Sequence, residues 1–335
     1  MRPTWRQLAG HGVLFAAILL LPLVISDFRA SQFAYVGVFA IALIGLSILT
    51  GYTGQISLGH GGFMAIGAYV TAILSVNYGV YDLLTVPLGG IAAGIVGFLF
   101  GFPALRLAGV YLALATFALA VIVPSLATAL GDRTGGTAGI LLELPTSPIG
   151  ALSPDKWLYY VTWAIAIVLF AAATIFVRGR RGRALRAVRE NEIAAVSAGV
   201  SLTRYKTLAF GVSAFYAGVA GSLYAILNFI VAPGTFPITL SILLLAGLVV
   251  GGAASFVGVL AGAAFVQFVP LYAGDVVGRL TGIGDRIGLP GGGFDPTTPG
   301  VPSVVYGVIL LAVLWLAPRG AAGLAQRLGR ILRIS

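Results

Sequence analysis

The chain is built around stretches too long and too apolar to be core elements of a water-soluble domain. From Gly12 to Ala317 such runs recur between short polar links, each near the roughly 17–25 residues a helix needs to cross a hydrocarbon core of about 30 Å. Only 9% of the 335 residues are charged, while 59% are hydrophobic. An average soluble domain is roughly 25% charged, so most of this chain must face something other than water. The runs are continuously apolar, whereas strands of a membrane barrel alternate polar and apolar over about ten residues. The expected fold is therefore an all-α integral membrane protein, a polytopic bundle of about ten transmembrane helices, read as one transmembrane domain over 1–335. The spans are placed at 11–26, 33–50, 62–77, 83–102, 108–130, 157–177, 207–228, 238–253, 256–272 and 302–317.

Charge sets the orientation, because short cytoplasmic loops carry the Lys/Arg excess. With both termini cytoplasmic, Arg2, Arg6, Arg106, the segment 178–206 and the tail arginines Arg319, Arg327, Arg330 and Arg333 all fall inside. The outer loops, chiefly 131–156 and 273–301, then collect Asp27, Asp82, Asp132, Glu143, Asp155, Asp275, Asp285 and Asp295. This accounts for the net charge of +10 without a nucleic-acid partner. The absence of cysteine excludes disulfides and thiolate metal sites. Arg2 and Arg6 before an apolar run mimic a signal peptide, but no A-x-A pattern follows, so a retained first helix is expected.

Several chemistries are missing. A P-loop requires Gly-Lys followed by Ser or Thr, yet Lys156 follows Asp155 and Lys206 follows Tyr205, and these are the only lysines. Ion-coupled carriers place ionisable residues inside the membrane, and the expected spans hold essentially none. Two histidines, His11 and His60, are too few for a metal cluster.

Three segments stand out. In "GYTGQISLGHGG", at 51–62, Gly51, Gly54, Gly59, Gly61 and Gly62 predict a helix broken at membrane depth. Glycine is about 1 kcal/mol worse than alanine in a helix, and unwound backbone survives there only under cover of protein or along a water-filled path. Such breaks offer N–H and C=O groups to polar solutes; Gln55, Ser57 and His60 are the nearby polar side chains, and His60 alone reads as a satisfied, cytoplasm-facing histidine. Further on, Gly251, Ser255, Gly258 and Gly262 suggest a small-residue packing seam along one helical face. The basic stretch 178–206 predicts one short amphipathic helix, with Ala184, Val188, Ile193 and Ala195 apolar and Gly199 as its stop. Such a helix could transmit force from a cytoplasmic partner.

Four segments together resemble the permease subunits of branched-chain amino acid ABC importers, in particular the longer of the two paired permeases. They are "GYTGQISLGHGGFMAIGAY" at 51–69, "GVYLALATFALA" at 109–120, "TGGTAGI" at 134–140, and a long match from Gly182 to Ala225 that includes "RALRAVRENEIAAVSAGV". Ala254 and Val259 stand where that family usually has glycine and proline, and Val121 where many relatives are polar, which leaves the solute open.

The resemblance implies a heterodimer with a second, homologous permease, two ATPase subunits beneath it, and a periplasmic substrate-binding protein, all in the bacterial inner membrane. ATP and magnesium would be used by the ATPases, with no cofactor bound by this chain. It further implies an ATPase dock at Arg183, Arg189, Glu190, Asn191, Glu192, Ala194, Ala195 and Gly199. A translocation path is expected along Gly51, Gly54, Gln55, Ser57, Gly59, Tyr111 and Thr116. Alternatives are an ABC permease for urea, amides or other small amino or aromatic acids, and, from another class, an ion-coupled carrier or channel.

Overall fold

The computed structural model describes residues 18–272 except 19, 108, 144–145, 149, 151, 254 and 256–257, with isolated positions between 304 and 323. The helices are α1 (Asp27–Leu46), α2 (His60–Tyr78), α3 (Asp82–Ala104), α4 (Val110–Ala129) and α5 (Pro154–Arg178). They continue as α6 (Arg180–Glu190), α7 (Glu192–Ser197), α8 (Leu202–Asn228), α9 (Ile238–Gly251) and α10 (Gly258–Tyr272). Strands β1 (Ile140–Leu141) and β2 (Ile230–Val231) form an antiparallel ribbon pairing Ile140 with Val231.

Among the described residues, seven helices are long and apolar enough to cross a membrane: Asp27–Gly51, α2, α3, α4, α5, α8 and Pro233–Gly251. Each coincides with one of the ten expected spans. The expected span 256–272 is the shorter α10. Half of 11–26 and most of 302–317, with the whole loop 273–301, lie outside the described residues. Two boundaries need correction. α8 begins at Leu202 rather than at 207, which draws Arg204 and Lys206 into the helix, and α1 begins at Asp27 rather than at 33, which draws in Asp27 and Arg29, so the spans are not free of ionisable groups at their ends.

α3 shows why this is a membrane fold. Its large residues Leu84, Leu88, Ile91, Ile95, Phe98 and Phe102 are exposed, while Gly89, Gly90, Ala93, Gly97 and Gly101 are buried. The two faces are separated by size, not polarity. In water the exposed face would be a liability; in lipid, which is as apolar as leucine, helices associate instead through close packing of small residues. α8, largely buried, receives that face. A β-carbon at Gly67 of α2 would sit 2.0 Å from the Gly218 carbonyl oxygen, one at Gly221 would sit 1.9 Å from the Met64 carbonyl oxygen, and one at Gly97 would sit 2.3 Å from the Ala214 β-carbon. α2, α3 and α8 thus touch almost backbone to backbone.

The second glycine seam differs from expectation. α9 ends at Gly251, and Gly252 turns the chain with φ 102°, so the four residues do not share one helix face. Instead α9 and α10 fold against each other across the turn. A β-carbon at Gly251 would lie 2.3 Å from the Gly258 carbonyl oxygen, and one at Gly262 would lie 2.2 Å from that of Gly247. Ser255 caps α10 by accepting the Gly258 N–H at 3.2 Å.

Candidate functional site

The helix break is real but narrower than its glycines suggested. α1 runs into one π-helical turn at Ser47–Gly51, and residues 54–59 leave the helix before α2 starts at His60. π-turns within helices recur at functional sites. Gly54 has φ 74°, a left-handed conformation that costs glycine least. Gly61 and Gly62 lie inside α2 as contact residues, facing Ser241 and Ala120.

Buried unwound backbone must find partners, and side chains from α4, α9 and the π-turn supply them. Thr116 of α4 accepts the Leu58 N–H at 2.9 Å and donates to the Ala113 carbonyl. Ser241 of α9 accepts the Gly61 N–H at 2.9 Å. Thr50 donates to the Gln55 carbonyl at 3.0 Å, and the buried Gln55 carboxamide lies 3.1 Å from the Thr53 hydroxyl. Ser47 donates to the Ala253 carbonyl at 2.8 Å, tying the π-turn to the α9–α10 corner.

His60 is bonded at both ring nitrogens, as expected of a satisfied histidine, but it is fully buried rather than facing the cytoplasm, because its ring fills the space between the break and α8. The Gly59 N–H donates to Ser57 Oγ, which lies 3.3 Å from His60 Nδ1; on the other side His60 Nε2 lies 2.9 Å from Ser213 Oγ, which donates to the Gly45 carbonyl at 2.7 Å. Because the Ser213 proton is committed to Gly45, this serine accepts from Nε2–H, and Nδ1 accepts from Ser57. One ring thereby links the break to α8 and α1.

The basic segment is two helices, not one. Asn191 adopts an extended conformation between α6 and α7, and its side chain accepts the Ala194 N–H at 3.0 Å. An N-cap restarts the helix in a new direction, and Gly199, at φ 82°, ends it. Gly182, Ala184, Leu185 and Val188 are buried beneath the bundle, whereas Arg183, Arg186 and Glu190 point away from it. On α7, Ile193 is 80% and Val196 53% exposed among the described residues.

Among the described residues, two polar contacts tie this segment to the membrane-spanning helices. Arg189 Nη1 donates to the Gly51 carbonyl, at the end of the π-turn, and Lys206 of α8 pairs with Glu192 at 2.6 Å. Lys206 is buried while Glu192 is half-exposed. Burial raises the Tyr52 hydroxyl pKa, opposed by the nearby cations Arg186, Arg178 and Arg189. The basic helices therefore lie directly under the break.

Of the residues expected to line a path, Gly51, Gln55, Ser57, Gly59 and Thr116 gather at the break, with Gly54 on its exposed edge. Tyr111, 72% exposed near the start of α4, does not join them. Sequence reading passed over Ser47, Ser213, Ser241 and Lys206. The available signal was polarity itself, since a buried polar group in a membrane helix must be paired.

Comparison with known proteins identifies the family. The family model for the permease component of the branched-chain amino acid transport system matches residues 29–314. Two relatives, both described as the high-affinity branched-chain amino acid transport system permease protein LivM, come from Salmonella typhimurium and Escherichia coli. Each is 35% identical over 243 residues, covering 65% of this chain and 57% of the relative. The chain thus matches just over half the length of these curated relatives. No solved structure matches significantly.

Proposed function

The chain belongs to the branched-chain amino acid transport permease family, and on that footing we propose that it is one transmembrane half of an ATP-driven importer for leucine, isoleucine and valine. A second, homologous permease completes the path, a periplasmic binding protein delivers the solute, and two ATPase subunits, which use ATP and magnesium, dock under the basic segment. The cytoplasm lies on the side of Arg106 and 178–206, with both termini, in keeping with the positive-inside rule.

The observation that carries this reading is the hydrogen bond from Arg189 to the Gly51 carbonyl, with the Lys206–Glu192 pair beside it. A partner that grips the exposed face of α7 moves Glu192 and, across the Asn191 cap, α6. That displacement reaches the π-turn through Arg189 and α8 through Lys206. Arg183, Glu190, Ala194 and Gly199 complete the dock: the charges orient the partner, and the small residues let it approach, whereas Ala195, expected to belong to it, is buried and packs α7 against the chain instead. The break then opens or closes against Thr116 and His60, as alternating access requires.

Reconstitution tests it. Proteoliposomes containing the chain with its second permease and ATPases should accumulate leucine only with ATP inside and binding protein outside. Uptake by this chain alone, driven by a proton or sodium gradient, would overturn the reading.

A further inference from the structure

At the end of the bundle opposite the basic segment lies a cavity of about 620 Å³, within the roughly 300–1,000 Å³ range of small-molecule sites. It opens where α2 ends, α3 and α5 begin, and α8 ends, beside β1. Two carboxylates line it, Asp82 and Glu143, and Ser75 donates to Asp82 Oδ1. No lysine, arginine or histidine is among the described lining residues. The neighbouring cation, Lys156, is engaged by Asp27 at 3.4 Å. The remaining wall is apolar, with Val80, Leu83, Leu158 and Ile226, and Trp157 contributes an aromatic ring.

We propose that this cavity is an outer binding site for a small molecule bearing a primary ammonium group on a branched apolar body. The carboxylates supply charge-assisted acceptors, the indole face attracts a cation, and the Val80–Leu158–Ile226 wall takes an aliphatic chain out of water. A bare carboxylate is repelled by the same pair of acids. Identifying the physiological occupant as an apolar amino acid rests on the transport reading above; the preference for an amine does not. The site is separate from the break, and would hold solute at the outer mouth before the path opens.

The test uses the full chain in lipid nanodiscs, titrated calorimetrically with leucine, with 3-methylbutylamine, which lacks its carboxylate, and with 4-methylpentanoate, which lacks its amine. Leucine and 3-methylbutylamine should bind saturably, at least 10-fold weaker in Asp82→Asn and in the exposed-site variant Glu143→Gln, and 4-methylpentanoate should not bind. Failure of both amines to bind, binding of 4-methylpentanoate equal to that of the amine, or undiminished binding in both variants would overturn the assignment. If the amines fail to bind while the assembled importer still accumulates leucine, the cavity assignment falls alone. Amine binding that persists where no ATP-driven uptake can be assembled removes the transport reading and upholds the cavity.

Discussion

Arg189 reaches from the short helix α6 to the main-chain carbonyl of Gly51, so the guanidinium of the basic segment holds the final residue of a π-helical turn. A hydrogen bond from a charged donor contributes about 1.5–3 kcal/mol, enough to bias a two-state element. Arg189→Ala should leave the chain in the membrane and the complex assembled, yet lower ATP-driven leucine uptake roughly 10-fold, since about 1.4 kcal/mol is a factor of ten. Arg189→Lys, a point charge on a shorter stem, should recover only part. Wild-type uptake in the alanine variant would show that the contact carries no motion.

The Lys206–Glu192 pair invites a charge swap. Glu192→Lys sets two cations facing each other at a partly buried position, and binding-protein-stimulated ATPase activity should be lost while assembly by size-exclusion chromatography is kept. Adding Lys206→Glu restores the attraction and should return part of the stimulation. A double variant no better than the single one would mean that Glu192 acts through another partner.

Thr116 clamps the break from α4. Thr116→Val keeps the shape but leaves the buried Leu58 N–H unpaired, at about 1–3 kcal/mol; Thr116→Ser keeps the acceptor. Uptake should fall several-fold in the valine variant and stay near wild type in the serine variant. Equal uptake in the two would show that the hydroxyl is dispensable.

Ser213→Ala removes the acceptor of His60 Nε2–H and the donor to the Gly45 carbonyl. With two buried groups unpaired, the detergent-solubilised protein should lose roughly 1–3 kcal/mol, read as a lower thermal unfolding midpoint. An unchanged midpoint would mean the ring finds other partners.

Gly67 and Gly79 should respond to alanine differently. At Gly67 the new β-carbon meets the Gly218 backbone at 2.0 Å, and overpacking costs about 1–3 kcal/mol or more because neither helix can yield without moving α3 as well. At Gly79 nothing lies within 4 Å and only the φ of 63° is strained, about 1–2 kcal/mol. Thermal midpoints should therefore fall further for Gly67→Ala, and the reverse order would contradict the packing described for α2 and α8.

Much of this was legible in the residues. The seven described spans followed from run length and apolarity, because a bilayer of fixed thickness converts composition directly into helices. The break at 54–59 followed from glycine's cost in a helix, and the basic segment announced itself through charge. Its division at Asn191 was missed, since the periodicity of Ala184, Val188 and Ala195 carries across a cap that only the backbone direction reveals. The supposed seam at Gly251–Gly262 failed for a similar reason: helical spacing presumes a continuous helix, and Gly252 ends it.

By itself, the sequence determined the solvent, the helices and the side that carries positive charge, all properties that add up locally along the chain. Only the tertiary structure decided that Arg189 meets Gly51, that Ser213 meets His60, and that Lys206 is buried against Glu192. Those contacts join residues distant in the chain, and their partners are set by the close approach of glycine-lined helices. No local pattern of polarity encodes which face will meet which.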